Sequence, residues 1–356
     1  MRAILFAGGL AMIGTLLGTR LAIGLLVRKG YGQFIRDDGP TSHHTKRGTP
    51  TMGGLVIIIS VLIAYFGAHL ITWTPVTLSA LLVLYLFTGM GLVGFLDDWS
   101  KISKQRSLGL DAKAKLGLQT LVGVSFAVLA LNFPDERGVT PASNAISFLR
   151  DIPWLTLPVV LAVLWVVLLI AGATNAVNLT DGLDGLATGA AAMVFAAYTL
   201  VNLWQNNQNC ANTSMVGPRC YEVRDPHDLA VVALALAGAC FGFLWWNSKP
   251  AKIFMGDSGS LSLGGAVAGL AITTRTELLL ILIGGLFVME TLSVILQTSW
   301  FKISRGKRLF KMAPIHHHFE LLGWKEETVV IRFWIIAGLC VALGLGIFYA
   351  EWVVGS

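Results

Sequence analysis

Long, nearly uncharged apolar runs recur from one end of this chain to the other, each close to the ~20 residues a helix needs to cross a hydrocarbon core. Ten runs stand at roughly 3–27, 52–72, 76–96, 114–133, 154–176, 185–204, 228–247, 259–274, 278–300 and 328–350. A soluble domain would have to bury all of them on every side. Only 13% of the 356 residues are charged, against about 25% in soluble domains. The pattern predicts an all-α, polytopic membrane protein of about ten helices, forming one transmembrane domain from 1 to 356 with no soluble domain and no internal repeat. The first run, near Leu5, is too long for a cleaved signal peptide and has no small-residue cleavage site behind it, so it reads as a retained helix.

The loops between these runs differ in charge. The set 28–51, 97–115, 175–184, 248–258 and 301–327 holds 18 of the 26 basic residues, and the opposite set holds six. Basic loops stay in the cytoplasm, which puts both termini outside. The net charge of +6 then reports orientation and headgroup contact, and no aromatic-basic pattern for nucleic acid accompanies it. Cys240 and Cys340 fall inside apolar runs and read as small core residues. Cys210 and Cys220 share an outer loop, where a disulfide is an open possibility.

The distinctive polar residues all fall in the cytoplasmic set. In GFLDDWSK, 94–101, Asp97 and Asp98 end an apolar run, where carboxylates are costly unless they function. Paired carboxylates suit Mg²⁺, a hard cation that brings phosphates with it, or they supply a general base. A solvated helix end explains them equally well on their own. NLTDGLDGLATG, 178–189, sets Asn178, Asp181 and Asp184 among glycines that permit close backbone approach, and this favours a nucleotide or metal-adjacent site over simple helix capping. FMGDSGSLSLGG, 254–265, places Asp257 in a Gly/Ser-rich helix entry whose N–H groups suit an anion and whose carboxylate suits a metal, although an N-cap aspartate has the same look.

MAPIHHHFELLGW, 312–324, carries His316, His317 and His318. Adjacent histidines do not converge on one ion, and no zinc-type partner spacing exists, so phosphate hydrogen bonding is the better reading. Lys46, in HHTKRGTPTMGG, and Lys113, in GLDAKAKL, sit beside helix starts where they would neutralise phosphate charge, though ordinary orientation lysines look alike.

With these motifs in hand, the chain resembles the bacterial phospho-N-acetylmuramoyl-pentapeptide transferases, a branch of the polyprenyl-phosphate N-acetylhexosamine-1-phosphate transferase superfamily. The resemblance runs from KRGTPTMGG (46–54) through LDDWSK, NLTDGLDGLA, FMGDSGSL and APIHHHFE to RFWII (332–336), and the histidine loop marks the muramoyl-pentapeptide branch. It implies a ten-helix fold, often a homodimer, in the bacterial plasma membrane with a cytoplasmic active site. It further implies Mg²⁺-dependent transfer from UDP-MurNAc-pentapeptide to undecaprenyl phosphate, giving lipid I and UMP for peptidoglycan. By the same resemblance Asp257 is the principal Mg²⁺ ligand, Asp97 and Asp98 serve metal or substrate, and Asp98 is the better base. Lys46, Lys113, His316 and His317 match phosphate-side positions; Asn175, Asp181, Asn247, Phe254 and Gln297 match the nucleoside pocket; Asp184 has an open role. The rival readings are a UDP-GlcNAc:polyprenyl-phosphate transferase and a secondary transporter. The latter needs midspan acids, of which Glu290 is a rare example here.

Overall fold

The computed structural model describes residues 1–28, 30, 32, 48–105, 108–211 and 220–354. Lys46 lies outside them. The chain is helical almost throughout: α1 (Arg2–Arg28), α2 (Gly54–Thr72), α3 (Leu78–Ser103), α4 (Ala112–Asn132), α5 (Val159–Thr180), α6 (Leu186–Asn207), α7 (Pro226–Asn247), α8 (Gly256–Thr273), α9 (Leu280–Ile283), α10 (Gly285–Ile303), α11 (Ile315–Glu320) and α12 (Glu326–Val354). In lipid every backbone N–H and C=O must be paired within the segment, which is why apolar runs of this length become helices. Eight of them, α1 to α7 and α12, are long and apolar enough to cross a membrane. The two other expected spans coincide with α8 and with the α9–α10 pair, which is interrupted at Gly284.

α6, α7 and α8 form the centre, and α8 is buried along nearly its whole length. α1, α4, α5 and α12 surround them and turn Leu5, Leu21, Leu121, Leu164, Leu339 and Leu343 outward, as a lipid-facing surface requires. Two helices run past their expected ends. α3 continues through Asp97 and Asp98 to Ser103, and α5 continues through Asn178 to Thr180. Hydropathy stops where the side chains turn polar, whereas the hydrogen-bonded backbone does not.

Both chain ends lie at the same end of the bundle. The Met1 amine is 3.1 Å from His227 Nε2 at the start of α7, and Glu351 near the end of α12 pairs with Arg150 at 3.1 Å. A short antiparallel hairpin, β1 (Ala145–Ser147) and β2 (Asp151–Thr156), covers this end between α4 and α5. Glu277 pins it by accepting from Ser147 N and Trp165 Nε1, both at 3.0 Å. Nothing in the sequence pattern pointed to this hairpin, because three- and six-residue strands give no usable alternation. The Cys210–Cys220 disulfide is formed here, and Arg150 stacks over the neighbouring Tyr221 at 4.1 Å. Asp228 ties α2, α3 and α7 together at this end. It accepts from Tyr65 Oη at 2.8 Å, Thr77 Oγ1 at 2.8 Å and Thr77 N at 3.0 Å, and lies 2.7 Å from His69 Nε2.

Candidate active site

At the opposite end, α2, α3 and α8 approach so closely that side chains are excluded between them. A Cβ on Gly94 would strike the Asp257 backbone carbonyl, and one on Gly54 would strike Gly259. The approach brings the end of α3 onto the first turn of α8. Asp98 accepts from Asp257 N at 3.1 Å through one oxygen and from Ser258 N at 2.9 Å through the other. It thus caps α8 from another helix, a placement that the helix's positive N-terminal end favours. The left-handed φ of +74° at Gly256 sets up the entry to that turn.

Asp97, Asp98 and Asp257 each offer a carboxylate oxygen within 4.8 Å of the others. Asp97 and Asp98 are buried and Asp257 is half-buried. Two lysines hold the cluster together. Lys101 Nζ lies 2.7 Å from Asp97, 3.6 Å from Asp98 and 3.2 Å from Asp257, while Lys115 Nζ lies 2.5 Å from Asp257. Asn178 on α5 donates to Asp257 at 3.1 Å and to Ser260 Oγ at 2.8 Å. Three carboxylates against two ammoniums leave an excess negative charge, and the oxygen-only donor set is the one a hard divalent cation prefers.

The turn after α5 adds Asp181, half-buried, whose carboxyl is pushed up to about 8 by burial and then by the Asp257 and Asp98 carboxylates. Asp184 is buried and structural in its contacts: it accepts from Ala251 N at 3.1 Å, and its own N–H donates to Glu326 at 3.0 Å. Asn247 links Thr188 at 2.9 Å to the Ile253 carbonyl at 3.0 Å, which shapes the 248–255 loop. The half-buried Phe254 bonds Pro50 and Gly53 through its backbone, at 2.8 and 2.9 Å. Gln297 accepts from Leu309 N and Phe310 N, at 3.1 and 2.8 Å, and so orders the loop after α10. Asn175 donates to the Ala171 carbonyl at 2.7 Å within its own helix.

Of the other expected site residues, Lys113 is exposed on the first turn of α4, while Lys115 is the lysine that reaches Asp257. His317 pairs with Glu320 at 2.7 Å. His316 is fully buried and lies 3.1 Å from Glu290 on α10. The expectation of Asp98 as base meets a carboxylate whose two oxygens both serve α8. Asp97 is engaged to the same degree, with one oxygen on Leu110 N at 2.9 Å and the other on Lys101 at 2.7 Å. The sequence reading missed Lys101 and Lys115 in their cluster roles. The signal for Lys101 was its spacing of four from Asp97 and three from Asp98 on one helix.

Comparison with known proteins identifies the family. The glycosyl transferase family 4 model matches residues 80–275, which carry all three clustered aspartates. A phospho-N-acetylmuramoyl-pentapeptide-transferase signature matches residues 46–58. Proteins named phospho-N-acetylmuramoyl-pentapeptide-transferase from Cutibacterium acnes and a Nocardioides species are 69% and 66% identical to this chain, each over the full length of both. The chain belongs to the phospho-N-acetylmuramoyl-pentapeptide-transferase family. A further member, from Streptomyces avermitilis, is 62% identical over 99% of each chain. Relative to that family, this member's clustered aspartates lie inside the region matched by the broader model, and the signature spans the approach to α2, whose Gly54 packs on α8.

Proposed function

We propose that this chain transfers phospho-MurNAc-pentapeptide from UDP-MurNAc-pentapeptide to undecaprenyl phosphate, releasing UMP and forming lipid I for peptidoglycan synthesis. The observation that carries the reading is the cluster of Asp97, Asp98 and Asp257 with Lys101 and Lys115 at one end of the bundle. Full-length relatives bearing that transferase name support the substrates. The basic loops at this end support a cytoplasmic active site in a bacterial plasma membrane, where a soluble nucleotide sugar arrives. The homodimer implied by the family is part of the same reading, checked by light scattering in detergent.

The donor set fits Mg²⁺, with Asp257 as principal ligand and Asp97 and Asp98 as further oxygens; when bound it would neutralise pyrophosphate charge and ease departure of UMP. Lys101 and Lys115 leave their carboxylates for the donor's phosphate oxygens and steady the charge that grows on the leaving group. Asp98 keeps the start of α8, and therefore Asp257, in register. An aspartate of the Asp97–Asp98 pair takes the acceptor's proton. A lipid-phosphate oxygen then bonds to the β-phosphorus as the bond to UMP breaks. Asp181, in the turn after α5, meets the nucleotide.

The test is UMP release from UDP-MurNAc-pentapeptide by purified protein with Mg²⁺ and a polyprenyl phosphate, beside UDP-GlcNAc as donor. Release from the first donor and not the second is expected, and a preference for UDP-GlcNAc overturns the substrate reading. Exchange of labelled UMP into the donor without lipid acceptor would contradict direct displacement and favour a covalent phosphosugar-enzyme.

A further inference from the structure

Glu290 and His316 form a pair that the reaction as described does not use. Both are fully buried, Glu290 inside α10 and His316 on α11. His316 Nδ1 stands 3.1 Å from Glu290 Oε2, yet both carboxylate oxygens and both ring nitrogens lack an aligned hydrogen bond among the described residues. Buried polar atoms left in this state are costly, and such pairs persist where they serve function. The far side of the ring is equally defined. Nε2 lies against Gly182, where any Cβ would collide with it, in the turn that carries Asp181.

We propose that Glu290 is a positioning residue that sets the tautomer of His316. A proton on Nδ1, the nitrogen 3.1 Å from the Glu290 carboxyl, leaves Nε2 directed at the Asp181–Gly182 turn. A carboxylate behind an imidazole governs which ring nitrogen meets the reacting partner, and the wrong tautomer costs turnover more than binding. Glu290 therefore acts through His316 on the nucleotide side of the site, and this role rests on the transferase reading above.

The experiment compares Glu290→Gln, His316→Gln and the double variant in UMP release, with ¹⁵N-histidine NMR of the wild-type protein in nanodiscs. The His316 signal is assigned by its loss in His316→Gln. The expected result for Glu290→Gln is a fall in kcat of about 10- to 100-fold, the usual range for groups that orient a functional histidine, with donor KM within about threefold. The double variant is expected to lose no more than His316→Gln alone, since one residue works through the other. The wild-type spectrum is expected to show the His316 proton on Nδ1. Unchanged kcat in Glu290→Gln, multiplicative losses in the double variant, or a proton on Nε2 overturns the proposal. Should Glu290→Gln fail to fold, the wild-type spectrum decides alone. Absence of UMP release by the wild type counts against the transferase reading instead and leaves the tautomer to judge Glu290.

Discussion

Two aspartates at opposite ends of the bundle are both held by several partners, and the partners differ in kind. Asp228 is surrounded by the hydroxyls of Tyr65 and Thr77, the Thr77 N–H and the His69 ring, all on α2 or at the start of α3. Asp257 is held by two lysine ammoniums and one amide. Short, directional donors saturate a carboxylate and fix three helices in place. Long lysine side chains neutralise one through rotatable stems that fix no backbone to it. The first arrangement holds a fold, and the second is the one the proposed transfer requires to exchange partners.

The largest effect that would break this comparison lies at the lysine-held end. Asp257→Asn is expected to lower UMP release by about 10³-fold through loss of charge at the site, read by steady-state kinetics. Asp97→Asn and Asp98→Asn follow, the one that removes the proton acceptor with about 10²-fold lower kcat in folded protein.

At the other end the currency is stability. Replacing Cys210 and Cys220 with serine is expected to cost about 3 kcal/mol, the value for a loop of this size, seen as a lower midpoint in thermal unfolding with turnover unchanged. Asp228→Asn is expected to cost about 1–3 kcal/mol by leaving donors unpaired in a buried place. The smallest effect concerns Asp181, whose folded value of about 8 lies above its ordinary 3.8. The folded state then binds the extra proton, so this contribution is complete below about pH 4 and is lost as pH rises through about 8. Asp181→Asn in EDTA should show a flatter stability profile than wild type between those limits; a parallel profile would contradict it.

Much of this division was readable in the sequence, for physical reasons that also explain what was not. Lipid forces apolar runs into helices, so the spans and the shared face of Asp97, Asp98, Asp181 and Asp257 could be read directly. Carboxylates at a helix end stood out only because acidic motifs from several loops share one face. Lysines in basic loops are not, and Lys101 and Lys115 looked like the orientation charges around them. Helix ends such as Asp97 to Ser103 escaped a method that follows hydropathy. The hairpin 145–156 escaped because pairing between short strands depends on Glu277 and Trp165, far away in the chain. The Cys210–Cys220 bridge was left open because a spacing of ten sets no geometry by itself.

The most direct test puts Asp257→Asn and Asp228→Asn through the same two assays, UMP release with saturating Mg²⁺ and thermal unfolding, in one detergent. The account predicts about 10³-fold loss of turnover for Asp257→Asn and turnover within about twofold of wild type for folded Asp228→Asn, whose unfolding midpoint drops. Wild-type turnover in Asp257→Asn, with the loss appearing in Asp228→Asn instead, would contradict it.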